Sequence, residues 1–174
     1  MENNNLGEYT DLYDENKNLT GEKLFRAKGT KLQVPKGRYN IVVLAFIENS
    51  KGEFLFQMTS KRKHNVWATT GGHVKSGQTS EEAILEEIKE ELNVDINPAD
   101  ITLFKTYRYE TAFVDVYYIK KDLDVSKFTY QEDEVEYAKY LSKEEILDLI
   151  NNNGNIRQTN IDAFLDLIND KKTF

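Results

Sequence analysis

The chain has 174 residues, the length of one ordinary domain, and a single core of that size buries about 70% of the unfolded chain's surface without covalent staples. It has no cysteine, which excludes disulfides, thiolate metal sites and cysteine nucleophiles. Its 30 acidic and 23 basic residues give a net charge of -7, which argues against a nucleic-acid surface and calls for a bridging cation if the ligand is an anion.

Met1 to Gly7 is polar and acidic and does not resemble a signal peptide. No apolar run approaches the roughly 20 residues that span a bilayer, so the expectation is a cytoplasmic protein with no membrane partner. Glu8 to Gly37 reads as irregular structure or a hairpin, with the polar cluster Asp14 to Asn18 as its turn. Asn40 to Glu48 is apolar and β-branched and predicts a buried strand. Asn49 to Gly52 is a turn signal, and Phe54 to Phe56 starts the return strand. Lys61-Arg62-Lys63 is the one dense basic run, either a solvated loop or a loop facing phosphate.

The spacing predicts a helix from Ser80 to Leu92. Thr79 with Glu82 fits a capping box at its start, and Asn93 suits the left-handed residue past its end. Ile101 to Glu110 and Phe113 to Ile119 read as strands. Ser142 with Glu145 opens a second capped helix through Ile150, and Ile161, Phe164, Leu165 and Ile168 have helical spacing. The order implies one α/β (α+β) domain over 1–174, a mixed β-sheet sandwiched between helices. Residues 1–38 form an N-terminal extension or hairpin, and 142–174 the C-terminal helices.

On a wheel of about 100° per residue, Glu87, Glu90 and Glu91 share one arc beside the core-facing Ile84, Ile88 and Leu92. Lys89, Glu82 and Glu86 fall on the outer side, and the contacts of Glu90 and Glu91 are expected to be solvent-side. Such like charges disfavour the helix, and a hard divalent cation reverses the sign. A merely acidic, solvated helix is the plain alternative. Before it stands Gly71-Gly72-His73, and paired glycines let backbone approach a ligand closely.

The stretch from Gly72 through Gln78 to Glu86-Glu87-Ile88-Lys89-Glu90-Glu91-Leu92-Asn93-Val94 resembles the Nudix box, with its spacing intact. That resemblance implies a Nudix fold from about Tyr39 onward. It also implies a metal-dependent hydrolase that cleaves a diphosphate bond in a nucleoside diphosphate linked to another group, by attack of a metal-activated water. Mg²⁺ or Mn²⁺ is the implied cofactor. Glu90, Glu91 and the Gly71 carbonyl resemble the metal ligands, and Glu87 resembles the metal-site carboxylate and general base. Glu134, in the acidic loop before the strand around Tyr140, is the second candidate catalytic carboxylate. Arg62, Lys63 and Trp67 are the candidate substrate contacts. The partner is then a small nucleotide-like diphosphate, with a homodimer as one option.

Three positions depart from the box. Gln78 stands where the family has Glu, Glu86 where it has Arg, and Asn93 where it has Gly. A Gln–Glu hydrogen bond can replace the family's salt bridge, leaving Glu86 to repel Glu90 unless Lys89 screens it. The segment from Asp11 to Tyr39 resembles the start of type 1 isopentenyl-diphosphate isomerases, but those need a cysteine that this chain lacks. A Nudix-like ligand-binding or regulatory module is the non-enzymatic alternative. Trp67 is either a strand residue at the core edge or a base-stacking platform. His73, with no second histidine nearby, reads as structural rather than as a ligand. Of Tyr107, Tyr109, Tyr117 and Tyr118, some face the core and others are open to a groove.

Overall fold

Two apolar stripes, alternating along the same strands, decide the architecture of the computed structural model, which describes residues 6–170. Residues 1–5, within the segment read as unlike a signal peptide, and 171–174, at the end of the C-terminal helices, lie outside the described residues. Gly7–Tyr13 (β1) and Leu19–Ala27 (β2) pair antiparallel as a separate hairpin. Its turn is the polar cluster expected there. The Asp14 carboxylate accepts the backbone N–H groups of Asn16 and Asn18, both at 2.9 Å, and Lys17 adopts a left-handed φ of 64°.

The main sheet contains Asn40–Glu48 (β3), Phe54–Thr59 (β4), Trp67–Ala68 (β5), Gly71–His73 (β6), Ile101–Arg108 (β7), Ala112–Lys120 (β8) and Val135–Leu141 (β9). The hydrogen-bonded order is β5-β4-β3-β8-β7, with β6 also on β3 and β9 also on β4. β3 and β8 run parallel from Asn40↔Ala112 to Glu48↔Lys120 and form the centre. Both of their faces are covered, which is why they read as nearly continuous apolar runs. Ile41, Val43, Ala45 and Ile47 pack against Ile84, Ile88 and Leu92 of Ser80–Leu92 (α1). Each of those three helix side chains is almost wholly buried and contributes about 1.5–3 kcal/mol. Leu44 and Phe46 face the other way, onto Ile146 of Lys143–Asn151 (α2) and Phe164 and Leu167 of Gln158–Asn169 (α3).

The expected return strand is only partly a hairpin. β3 and β4 pair at Glu48↔Phe54, and then they diverge. β3 takes β6 as its neighbour, while β4 takes β9 from Phe54↔Leu141 to Thr59↔Val135. The resulting fork leaves Gln57 of β4 and Thr70, just before β6, open toward α1. No described helix is long and apolar enough to cross a membrane.

Candidate functional site

The carboxylate helix is fixed at both ends by its own sequence. Thr79 accepts the Glu82 backbone N–H while the Glu82 side chain accepts that of Thr79, and Asn93 closes the helix at φ 56°. That rotation sets Glu87 directly against Gly72. A Cβ built on Gly72 would overlap the Glu87 carboxylate, so the missing side chain is the space the carboxylate fills. Burial pushes Glu87 up to about 9, and the charges of Glu91 and Glu90 add to the shift.

Glu91 turns inward rather than toward solvent. It is only 5% exposed, and it accepts hydrogen bonds from Gln57 Nε2 at 2.9 Å, from the Thr70 hydroxyl and from the Gly71 backbone N–H. Burial still pushes it up to about 7, against the pull of those donors and with a further push from Glu134. The expected solvent-side contact therefore holds for Glu90 alone, which is exposed. The helix wheel gives direction around the axis, but the fork between β3 and β4 decides depth.

Glu86, half-exposed on the helix, is held by the loop that precedes it. Gln78 Nε2 donates to Glu86 Oε2, so the hydrogen bond that can stand in for the family's salt bridge is present. Lys75 Nζ lies 2.8 Å from Glu86 Oε1 and 3.7 Å from Glu90 Oε1. Lys89, the expected screen, pairs instead with Asp95 at 2.9 Å.

The basic run and the acidic loop meet. Lys63 Nζ is 3.0 Å from Glu134 Oε2, and Arg62 is 3.4 Å from Asp133. Ser60 fastens the two segments through its backbone N–H to the Glu134 carbonyl and its hydroxyl to the Asp133 carbonyl. Glu134 thus stands close enough to raise the Glu91 carboxyl, and Lys63 is its counter-ion.

Trp67 is not brought to these carboxylates. It packs with the α2 and α3 side of the sheet, edge-on to Tyr137 and beneath Lys139, whereas α1 covers the opposite face. His73 hydrogen-bonds Asn40 at 2.8 Å and is pushed down to about 4 by burial. Tyr117 bonds Ser80 at the start of α1, and Tyr118 bonds Glu48. Tyr107 and Tyr109 clasp Asp166 and Asp162 of α3, at 2.5 and 2.8 Å. Sequence reasoning did not find Gln57, Thr70 or Lys75. Only the fork and the loop geometry bring them to the helix.

Among the described residues, no three carboxylate, imidazole or thiol groups converge as a finished metal cage. Glu91 points into the fork, Glu87 lies against Gly72, and Glu90 leans to Lys75. The donor set nevertheless fits a hard divalent ion. It is made of carboxylate oxygens, two of them raised by burial, with Glu91 and Glu90 pushing Glu87 further and Glu134 pushing Glu91, and a single cation relieves that repulsion.

A model of the NUDIX domain matches residues 38–161. An uncharacterized Nudix hydrolase of Listeria monocytogenes is 34% identical over 140 residues, covering 78% of this chain and 80% of the relative. A crystal structure of a Deinococcus radiodurans protein shares the fold at a TM-score of 0.76 and 23% identity, over 91% of this chain and 98% of that one. A bifunctional NMN adenylyltransferase/ADP ribose pyrophosphatase of Francisella tularensis, complexed with AMP and a manganese ion, matches at a TM-score of 0.62 and 17% identity, over 79% of this chain and 42% of that one. The box, the fold that carries it, the family match and the Listeria relative together show that this chain belongs to the NUDIX family and is an enzyme of the Nudix pyrophosphohydrolase type.

Proposed function

We propose that the chain hydrolyses the diphosphate bond of a small molecule in which a nucleoside diphosphate is linked to another group, with Mg²⁺ or Mn²⁺ as cofactor. The observation that carries this reading is the row of desolvated carboxylates, Glu87 against Gly72 and Glu91 in the fork, with Glu90 beside them. The manganese and AMP in the Francisella neighbour support the choice of ion and substrate class. Glu90, Glu91 and the Gly71 carbonyl would hold the metal, with Glu87 beside them. A bound divalent ion supplies Lewis acidity to the diphosphate and a more acidic water.

Glu91 is oriented by Gln57, Thr70 and the Gly71 N–H, so its position does not depend on solvent. Glu87, whose raised carboxyl would ionise beside a bound divalent ion, would then accept a proton from the attacking water, away from bulk solvent. Glu134, in the loop that Ser60 fastens beside Lys63, is the second acceptor. Lys63 and Arg62 exchange their carboxylate partners for phosphate oxygens as the substrate enters. Trp67 contributes through the far face of the sheet and not by stacking on the reacting group.

The test is release of phosphate products from nucleotide-sugars, dinucleoside polyphosphates and nucleoside triphosphates, with and without Mn²⁺. Metal-dependent turnover of one class is expected, and Glu134→Gln lowers its kcat by at least about 100-fold, the low end for a general base. Glu132→Gln and Asp133→Asn serve as controls from the same loop. A folded wild-type chain that turns over no member of the panel in the presence of metal overturns the proposal.

A further inference from the structure

Helix α1 places Glu86, Glu87, Glu90 and Glu91 within two turns. Among the described residues, the only cation in an ion pair with any of them is Lys75. Its two contacts are unequal. Glu86 is the near partner at 2.8 Å, and Gln78 holds that carboxylate from the other side. Glu90 is the far partner at 3.7 Å and is exposed.

The ammonium is placed by a loop pinned on several sides. Val74 N–H donates to the Ile41 carbonyl at 3.0 Å, and the Val74 carbonyl accepts the Thr10 hydroxyl at 2.8 Å. Ser76 N–H donates to the Tyr9 carbonyl at 2.8 Å. Asp11 accepts the Ser76 hydroxyl at 2.7 Å and the Gly77 N–H at 2.9 Å. Gln78 Oε1 accepts the Lys75 backbone N–H at 3.2 Å, which closes a ring through Lys75, Gln78 and Glu86. The N-terminal hairpin and the helix thereby share one lysine between them.

The geometry points to Lys75 as a resident counter-ion of the carboxylate helix, anchored on Glu86 and holding Glu90 until a divalent cation takes that carboxylate. This rests on the reading above that Glu90 is a metal ligand. Glu86 and Glu90 are like charges four residues apart, an unfavourable pair in a helix. A lysine offsets it with a compact charge on a flexible stem, and it makes no planar two-point grip that would lock Glu90 in place. When the divalent ion binds, Lys75 remains with Glu86 and Gln78, and Glu90 is free to turn.

The signs separate this role from a purely structural one. Removing the ammonium leaves the metal-free helix with uncompensated repulsion, so stability falls. The same change removes a competitor for Glu90 and a positive charge near the ion, so metal affinity rises. Loss of a structural brace lowers stability and leaves affinity unchanged or weaker.

The experiment is calorimetric titration of the full chain with Mn²⁺, paired with metal-free thermal melting, for wild type, Lys75→Met, Lys75→Arg and Glu91→Gln. Lys75→Met is expected to melt lower without metal and to bind Mn²⁺ about three- to tenfold tighter, the scale of a unit charge acting on a divalent ion across a solvated gap. Lys75→Arg keeps the charge and returns both quantities toward wild type. Should Lys75→Met fail to fold, Lys75→Gln, which can still bond Glu86, carries the same expectation for affinity. Unchanged or weaker Mn²⁺ binding in the Lys75 variants, with Glu91→Gln impaired, overturns the counter-ion role alone. A wild type that takes up no Mn²⁺ overturns the metal-site reading and this role with it.

Discussion

Glu87 and Glu91 make the metal-free protein sensitive to alkali. A carboxyl raised in the folded state holds its proton after the unfolded chain has released it. Stability from Glu87 is therefore fully present below the ordinary carboxylate range and is lost as pH rises from there through about 9. Glu91 adds a similar loss that ends near 7. The metal-free melting temperature is expected to fall from pH 5 to pH 9, by about 2–4 °C for each kcal/mol lost in a domain of this size. Glu87→Gln should flatten that slope, and Mn²⁺ should flatten it in wild type. A metal-free melting curve that is level across this range in wild type removes the proposed burial of charge. The identity of these residues was legible, since Glu87, Glu90 and Glu91 can share an arc only at that spacing. Their depths were not. Glu91 is buried because β4 departs from β3, and Lys75 is near because a loop carries it there, and neither event leaves a periodic trace in the sequence.

Local signals worked best at the level of elements. Both capping boxes form as read, at Thr79 with Glu82 and at Ser142 with Glu145, because each is complete within four residues. The parallel pairing of β3 with β8 was not legible, since its partners lie about 70 residues apart and no turn dictates the register. Residues 1–38 read as an N-terminal extension or hairpin, and nothing in the sequence signals that the structure ties the hairpin to the site loop. Asp11 accepts from Ser76 and Gly77, and Lys17 reaches the buried Asp115 at 2.6 Å. Asp11→Ala should then cost about 1.5–3 kcal/mol, the range for hydrogen bonds to a charged group. Urea unfolding gives the cost, and hydrogen exchange should quicken first at residues 74–78. Faster exchange confined to the hairpin itself would mean that the loop stands without it.

Across the molecule, two elements must balance charge at one point: the hairpin-pinned loop supplies Lys75 and, near its end, Gln78, and the helix supplies Glu86. In wild type Lys75 and Glu86 cancel, and Gln78 is neutral. The resembled family's pattern would place a Glu at 78 and an Arg at 86. From sequence alone, Gln78→Glu with Glu86→Arg looks like a restoration and is expected to speed hydrolysis. The structure reverses that expectation, because the double change leaves Lys75 beside the new arginine and one surplus positive charge at the middle of the metal helix. The double variant should melt lower than wild type without metal and should not gain in kcat/KM. Adding Lys75→Met removes the surplus and leaves one carboxylate with one guanidinium. The triple variant should recover metal-free stability to within about 0.5 kcal/mol of wild type, the scale on which independent changes simply add. The decisive quantity is the coupling between position 75 and the 78/86 pair, read from the wild type, the Lys75→Met single, the double and the triple. Lys75→Met should destabilise the wild-type background and stabilise the double-variant background, a change of sign that no sum of independent effects can give. If Lys75→Met has the same effect in both backgrounds, Lys75 does not answer to Glu86, and the departures from the family pattern at 78 and 86 are unrelated to it.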